Sequence, residues 1–532
     1  MDLILKSGLS LNLDHLPDNS IENLAKDTLS LINLIGVDTS RSTHYQDKSE
    51  MENVRKAMHR NVFNADRGLY ACLFCLPGTI EYSMQNAIKA LLSNPRTEDT
   101  KSILPVEYEN AILDYMLSNI PPNKVLNTFL EMVNNRVNNS KSVRYMLTYI
   151  LGSKSFELWS VKYRSKIRKI LTHCWGVRHK NIIQAILSTK TGKFSVRKLN
   201  DKEIKYTTRS FLKYKNPLMN DNTMKECIGF VLGLRGNYKT RMLKAYLDAR
   251  QDLSKGKILP IDVLDGIRST YHPKVTQQEL LNLTKTNLTN KQKKLVQKKA
   301  IKENVQVDFD PNRYTMTELY IYSYEMGMTK DISNAIIRKA KNAAITLPFK
   351  YNTLGIVFDA SHSMSGSKDQ PLRPISISLA TRDMLKYACE NYFIDYAGGI
   401  SKDGLSIPCG ETSLAASLCK IIQKNPDAIF IISDGYENAP AGRTNEIIQI
   451  ARRIGWNHPI YHINPVSAAE SKTGMRYLSK DIPTLPISKP EAVGLTFFKP
   501  MLEVDPKNGL LSLLKMILPK IEGNMKRKEV SR

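Results

Sequence analysis

The residues best equipped for chemistry stand in one short string, Asp359-Ala360-Ser361-His362-Ser363-Met364-Ser365. A carboxylate is followed by hydroxyls at alternate positions, so a loop can turn Asp359, Ser361 and Ser363 toward one point. One carboxylate and two hydroxyls make a hard oxygen site, suited to magnesium, alternatively manganese or calcium. Two later stretches supply the same donor types. Cys409-Gly410-Glu411-Thr412-Ser413 offers the hydroxyl of Thr412, and Ser433-Asp434-Gly435 offers a second carboxylate in Asp434. Two acids and three hydroxyls compensate little of a divalent charge, with Asp434 expected to act through water. The cation stays electrophilic and keeps an open position, whose natural occupant is a carboxylate from a protein partner. Hydrolysis would require a general base beside a water, and none is evident, so a non-enzymatic role is expected. The competing reading is that Ser361 and Ser363 cap the next helix and Asp434 starts a turn.

These donors must be positioned by strand ends. Leu354 to Phe358 is an apolar run that reads as a buried strand of a parallel sheet, and Asp359 ends it, where open α/β sheets place ligands. Ala428 to Ile432 is a second such strand, delivering Asp434. Helical patterns cover Pro371 to Glu390, Leu414 to Ile422, Gly442 to Ile454 and Gly509 to Ile521, and further strands cover Tyr392 to Tyr396 and Pro459 to Ile463. The alternation predicts a doubly wound α/β domain over residues 351–525, followed by a disordered charged tail, 526–532. The order Asp-x-Ser-x-Ser, Thr, Asp resembles the metal-ion-dependent adhesion site of von Willebrand factor A domains, over roughly the last third of the chain. That resemblance implies Asp359, Ser361, Ser363, Thr412 and Asp434 as the metal-site residues.

Before residue 350 no strand alternation persists. Amphipathic helical patterns follow one another from Asn19–Gly36 to Ile332–Ile345, separated by breaks such as Ser118-Asn119-Ile120-Pro121-Pro122. Many medium helices with short breaks suggest a HEAT-like array over residues 1–350, although no exact period repeats. Leu347-Pro348-Phe349-Lys350 marks the boundary. No apolar run of about 18 residues exists, so no membrane contact is expected. The start, MDLILKSGLSLNLD, does not read as a signal peptide. Seven scattered cysteines favour a reducing cytoplasm.

The formal net charge is +26. From Tyr351 onward there are 22 Lys and Arg against 18 Asp and Glu, so residues 1–350 carry a net of +22. The densest stretch, Lys154 to Lys215, holds 17 basic residues and three acids, Glu157, Asp201 and Glu203. One helix over Phe156 to Cys174 would show two basic stripes: Lys162, Lys166 and Lys169, and Arg164 and Arg168. Tyr163, Trp175, Phe194, Tyr206, Phe211 and Tyr214 lie among them and could stack unpaired bases. A near absence of acids points to phosphate contact; the alternative is a solvated face over core aromatics. A second basic run, Lys291 to Lys302, reads equally as linker surface or phosphate contact.

KYRSKIRKI, WGVRHKNIIQ and ILPIDVLDGIRSTYHP resemble segments of the TROVE module of Ro-type RNA-binding proteins. That family is a ring of HEAT-like helices followed by a von Willebrand A domain. The resemblance implies binding of small structured RNA and of single-stranded RNA ends, with Lys162, Arg164, Arg178, His179 and Lys180 on the RNA face. It also implies a second histidine after His179, where this chain reads Gln184-Ala185-Ile186-Leu187-Ser188. The sequence thus predicts a cytoplasmic RNA-binding protein with a metal-dependent protein-ligand site. The alternative is an adaptor or assembly factor that docks onto an ATPase or other machine without RNA. A metal-dependent phosphodiesterase is a further rival. Cys72-Leu73-Phe74-Cys75 has zinc-like spacing but no second pair and reads as buried thiols. His362, between two donors, is expected to point away from a cation. No nucleotide-binding Gly-rich loop and no Ser-His-Asp or Cys-His arrangement is found.

Overall fold

The computed structural model describes residues 3–4, 10–11, 13, 17–36, 48–178, 181–183, 200–290, 292–294, 296–297, 305, 307–367, 370–465 and 476–530. The protein is mostly helical, with a parallel sheet in its C-terminal part. It divides into two compact units. One comprises residues 1–88, 96–120 and 311–532; the other comprises residues 89–95 and 121–310.

The sheet of the first unit has five strands: β1 (Tyr351–Asp359), β2 (Cys389–Ala397), β3 (Ala428–Ile432), β4 (Ile460–Asn464) and β5 (Thr484–Pro486). All are parallel, in the order β5-β4-β3-β1-β2. Read from β2, this is the 2-1-3-4-5 order of a doubly wound sheet, and its order reverses between β1 and β3. The apolar strand cores account for the parallel pairing, because both faces are covered. Val357, Ile429, Ile431 and Ile460 pack with Leu414, Leu418, Ile421 and Ile448 of the helices Leu414–Ile422 and Arg443–Arg453. Alternate residues point the other way, where Phe430 and Tyr461 stack with Phe349 and Phe497. Gly355 lets a helix approach β1: a Cβ there would lie 2.3 Å from Cγ2 of Ile421.

The compact units do not follow the expected boundary at residue 350. Helices Met316–Met326 and Lys330–Ile345 pack on the helix Arg373–Lys386, which lies against β1 and β2. The C-terminal helix Pro506–Val530 packs against helices Asp18–Ile35, Arg67–Leu73 and Val106–Asn119, burying Leu513, Leu514, Leu518 and Ile521. The Tyr108 hydroxyl donates to Glu522 Oε1 at 2.8 Å, and Lys489 Nζ donates to the Thr79 carbonyl at 2.9 Å. Residues 1–88 and 96–120 are therefore part of the sheet-bearing unit, because the C-terminal helix supplies apolar surface that covers these three helices. The expected tail is also corrected: the terminal helix continues through Val530.

The second unit is built from helices, among them Pro122–Asn134, Ser140–Leu151, Phe156–Lys162, Arg164–Trp175, Asp221–Leu232 and Ile261–Tyr271. Where one helix is expected over Phe156–Cys174, two form. Tyr163, at φ −118° and ψ 24°, breaks the chain direction between Lys162 and Arg164. Among the described residues no helix is long and apolar enough to cross a membrane.

Candidate metal and nucleic-acid sites

Asp359 leaves β1 and Asp434 follows β3, the two neighbours at which the strand order reverses. This juxtaposition brings four of the five candidate metal residues into direct contact. The Ser361 backbone N–H donates to Asp359 Oδ1 at 2.9 Å, and the Ser361 and Ser363 hydroxyls lie 3.1 Å apart. Ser363 also hydrogen-bonds the Asp434 carboxylate. Thr412 is tied in through its backbone: its N–H donates to Asn438 Oδ1 at 3.0 Å, and its carbonyl accepts from Ala439 N at 3.3 Å. The loop before it is pinned to the first, since Cys409 N donates to the Ala360 carbonyl at 3.0 Å and His362 N to the Gly410 carbonyl at 3.2 Å. The close approach depends on Gly398 and Gly399, both at positive φ; a Cβ on Gly399 would lie 2.5 Å from the Ala360 Cβ.

Sequence reasoning left several partners unassigned. Ser433 is fully buried and its hydroxyl donates to Asp359 Oδ2 at 2.7 Å. Asn464 Nδ2 donates to the Asp434 carbonyl at 3.0 Å. Ser433 adjoins Asp434 and was legible as a strand-end hydroxyl; Asn464, on β4, carries no local signal. His362 is exposed, as expected of the residue between two donors.

The donor set fits a hard divalent cation. It is all oxygen, and Asp359 is wholly buried and Asp434 nearly so. Burial, and then the neighbouring Asp434, raise the Asp359 carboxyl to about 6. Burial raises Asp434 as well, opposed by hydrogen bonds from Tyr436 N and Ser363 and by the charge of Arg476. Two crowded carboxylates are relieved by a cation between them. Such a cation would give a partner's carboxylate a site to coordinate. Among the described residues there is no cluster of three or more His, Cys, Asp or Glu, here or elsewhere; this site pairs two carboxylates with hydroxyls. Cys72 and Cys75 are buried free thiols, both pushed up by burial. Because protons compete for Asp359, cation affinity should be constant above about pH 6 and fall about tenfold per pH unit below it. Titrating magnesium calorimetrically at pH 5, 6, 7 and 8 checks this; equal affinity at pH 5 and 7 rules out Asp359 as a ligand.

The basic candidates separate into two groups. Arg168, Lys169 and Arg178 are exposed. Three others, Lys162, Arg164 and Lys166, are engaged within the helical unit. Lys162 pairs with Asp262 Oδ2 at 2.9 Å. Arg164 Nε donates to the Phe230 carbonyl at 2.9 Å, with its guanidinium 4.3 Å from that ring's centre. Lys166 donates to Asn127 Oδ1 at 2.6 Å and to Asn123 Oδ1. The expected stripe through Lys162 is therefore interrupted at Tyr163, and Arg164 serves packing. His179, Lys180 and Phe194 lie outside the described residues. Trp175 and Phe211 are buried core residues, which corrects their reading as base-stacking rings; Tyr206 is 74% exposed and remains available. In the second basic run, Lys293 pairs with Asp308 at 3.0 Å, whereas Lys291, Lys298, Lys299 and Lys302 lie outside the described residues.

Compared with known proteins, the chain matches no protein-family model and no curated protein.

Proposed function

We propose that the chain is an RNA-binding protein whose helical unit holds RNA by its phosphates, and whose sheet-bearing unit offers a cation-dependent site to a protein partner's carboxylate. One observation carries the first part. The helical unit, residues 89–95 and 121–310, contains 39 Lys and Arg against 14 Asp and Glu, a net of +25. The rest of the chain contains 38 against 37, a net of +1. A neutral unit joined to one of such positive charge is the electrostatic footprint of a polyanion site. The adaptor alternative has no use for this charge.

The reading of the sheet-bearing unit as von Willebrand A-like is supported by the all-oxygen donor set at the strand-order reversal. The reading of the helical unit as HEAT-like is supported by its run of medium-length helices joined by short breaks. A non-enzymatic role is supported in one respect: His462, joined to Asp359 through Ser433, is unsuited to act as a base. It is buried, its two nitrogens face the Ser433 carbonyl and the Thr484 hydroxyl, and burial lowers it to about 4. Seven free cysteines favour a cytoplasmic setting.

The exposed cations supply the test. Replacing Arg168, Lys169 and Arg178 together by Ala should make the log–log salt dependence of RNA binding shallower by about 2 to 3, according to strand state. The loss should be similar across RNA sequences, since phosphate contacts carry no base information. Fluorescence anisotropy of wild type and triple variant from low to moderate salt measures it. Identical slopes and affinities would make these residues a solvated face.

A further inference from the structure

The sheet ends in an open edge. β2 is the last strand in the order β5-β4-β3-β1-β2, and among the described residues it pairs only with β1. The hairpin that follows it, Ile400–Lys402 with Leu405–Ile407, pairs with itself. The opposite edge strand, β5, has three residues, whereas β2 has nine. Proteins blunt a long edge with proline, lysine or a short strand; β2, CENYFIDYA, contains neither proline nor lysine. Instead Tyr392, Phe393 and Tyr396 are 46%, 37% and 43% exposed along it. The outward N–H and C=O groups of such an edge are a template for another strand.

Two features beside the edge specify what would pair with it. The first is a cleft of about 310 Å³, lined by Tyr392 of β2, by Tyr387, and by Ile336 and Ile337 of the helix Lys330–Ile345. Its one carboxylate is already satisfied: Asp383 accepts from Arg382 Nε at 2.8 Å and from the Tyr320 hydroxyl, and pairs with Lys386 at 3.6 Å. What remains is an apolar wall, within reach of a side chain on a strand running about 4.8 Å beyond β2. The second is charge. Lys386 lies 5.6 Å from the Tyr392 ring centre, Lys341 lies 5.3 Å from that of Tyr387, and Lys424 lies 6.0 Å from that of Phe393. Among the described residues neither Lys341 nor Lys424 has a carboxylate partner, and both are exposed. Of the acids on β2, Asp395 pairs with Lys420 at 3.2 Å and Glu390 is exposed at the start of the strand.

In strand addition, main-chain hydrogen bonds supply affinity and pockets for alternate side chains supply specificity, while flanking charge selects the partner. We propose that β2 takes an extended acidic segment of a partner protein as a sixth strand, with one bulky apolar side chain in the cleft at Ile337 and its carboxylates at Lys341, Lys386 and Lys424. A second copy of this chain is the poorer occupant, because it would bring the same lysines against their own kind. The site requires no cation and uses none of the residues around Asp359, so it stands apart from the metal-dependent reading.

The test uses the full chain in EDTA, which silences carboxylate capture by a metal, and fluorescein-labelled peptides Asp-Val-Glu-X-Glu-Val-Asp with X as Leu, Ile, Phe or Tyr. Anisotropy should report binding of at least one of them, and the same peptides with Lys for every acid should bind about tenfold or more weakly. An added strand turns alternate N–H groups toward β2. N-methylation of every second peptide residue should therefore abolish binding in one register and be tolerated in the other. Ile337→Glu places a charge in the cleft and should weaken binding about tenfold or more. Lys341→Glu with Lys424→Glu, both on the surface, should weaken it about tenfold as well, and circular dichroism checks that each variant folds. Equal tolerance of both methylation registers, as adsorption to the basic helical unit would give, overturns the proposal. So does wild-type affinity in the lysine double variant or in a folded Ile337→Glu, and so does no binding by any of the four peptides at about 1 mM. A wild-type dimer in sedimentation that Phe393→Lys returns to monomer assigns the edge to a second copy and overturns the acidic partner.

Discussion

Glu109→Ala should destabilise the sheet-bearing unit by about 3 to 5 kcal/mol, the cost of leaving buried charge without its partner. Glu109 is fully buried and accepts from Arg67 through two bonds, Nε to Oε2 at 2.8 Å and an Nη to Oε1 at 3.0 Å. Arg96 Nε adds a third at 2.8 Å. Arg67 is itself only 2% exposed, so its guanidinium cannot turn to water when the carboxylate is removed. The residue sits on the helix Val106–Asn119, which packs on the C-terminal helix. The effect should therefore reach the sheet and appear as a lower urea midpoint in one transition shared by residues 1–88, 96–120 and the sheet. A separate early transition, with the sheet untouched, would show that the helices of residues 1–88 and 96–120 fold independently.

Asp359→Asn should abolish cation binding while raising, at pH 7, the melting temperature of the cation-free protein. The two effects have one cause. The Asp359 carboxyl is raised to about 6, first by burial and then by Asp434. A raised carboxyl contributes stability that is fully present below its unfolded range, near 4, and lost as pH rises through about 6. At pH 7 the cation-free wild type thus carries an unfavourable buried carboxylate. Asparagine removes that charge; its Oδ1 can still accept from the Ser361 N–H, and its Nδ2 can donate to the Ser433 hydroxyl in place of the bond that the hydroxyl now donates. Magnesium at about 100 times its dissociation constant should stabilise wild type by about 2.7 kcal/mol and leave the variant unchanged. RNA affinity should be unaffected, because the net charge resides in the other unit. Thermal melts with magnesium or with a chelator, beside anisotropy on RNA, separate these outcomes. Magnesium stabilisation of Asp359→Asn equal to wild type would remove Asp359 from the site.

The parallel strands and the polar residues gathered at their ends were legible because their signals are local. A buried parallel strand must be an apolar run, so Leu354–Phe358 and Ala428–Ile432 announce themselves, and polar residues at their carboxyl ends fall where such sheets leave room for ligands. The excess of basic residues was equally plain, since counting charge needs no fold.

Only the tertiary structure decided which side chains are free to act and which segments belong together. Lys162, Arg164 and Lys166 look like Arg168 and Lys169 in a helical projection, yet Asp262, Phe230 and Asn127 lie 100, 66 and 39 residues from their partners. No periodicity within one helix encodes partners at such separations. The same holds for Trp175 and Phe211, whose burial depends on neighbouring helices. It also holds for the unit boundary, because the surface that covers the helices Asp18–Ile35, Arg67–Leu73 and Val106–Asn119 is supplied by a helix that begins at Pro506. Apolar patterning states that a face will be buried. The identity of what buries it is a property of long-range packing, which sets both the extent of the sheet-bearing unit and how far the positive charge is concentrated in the other.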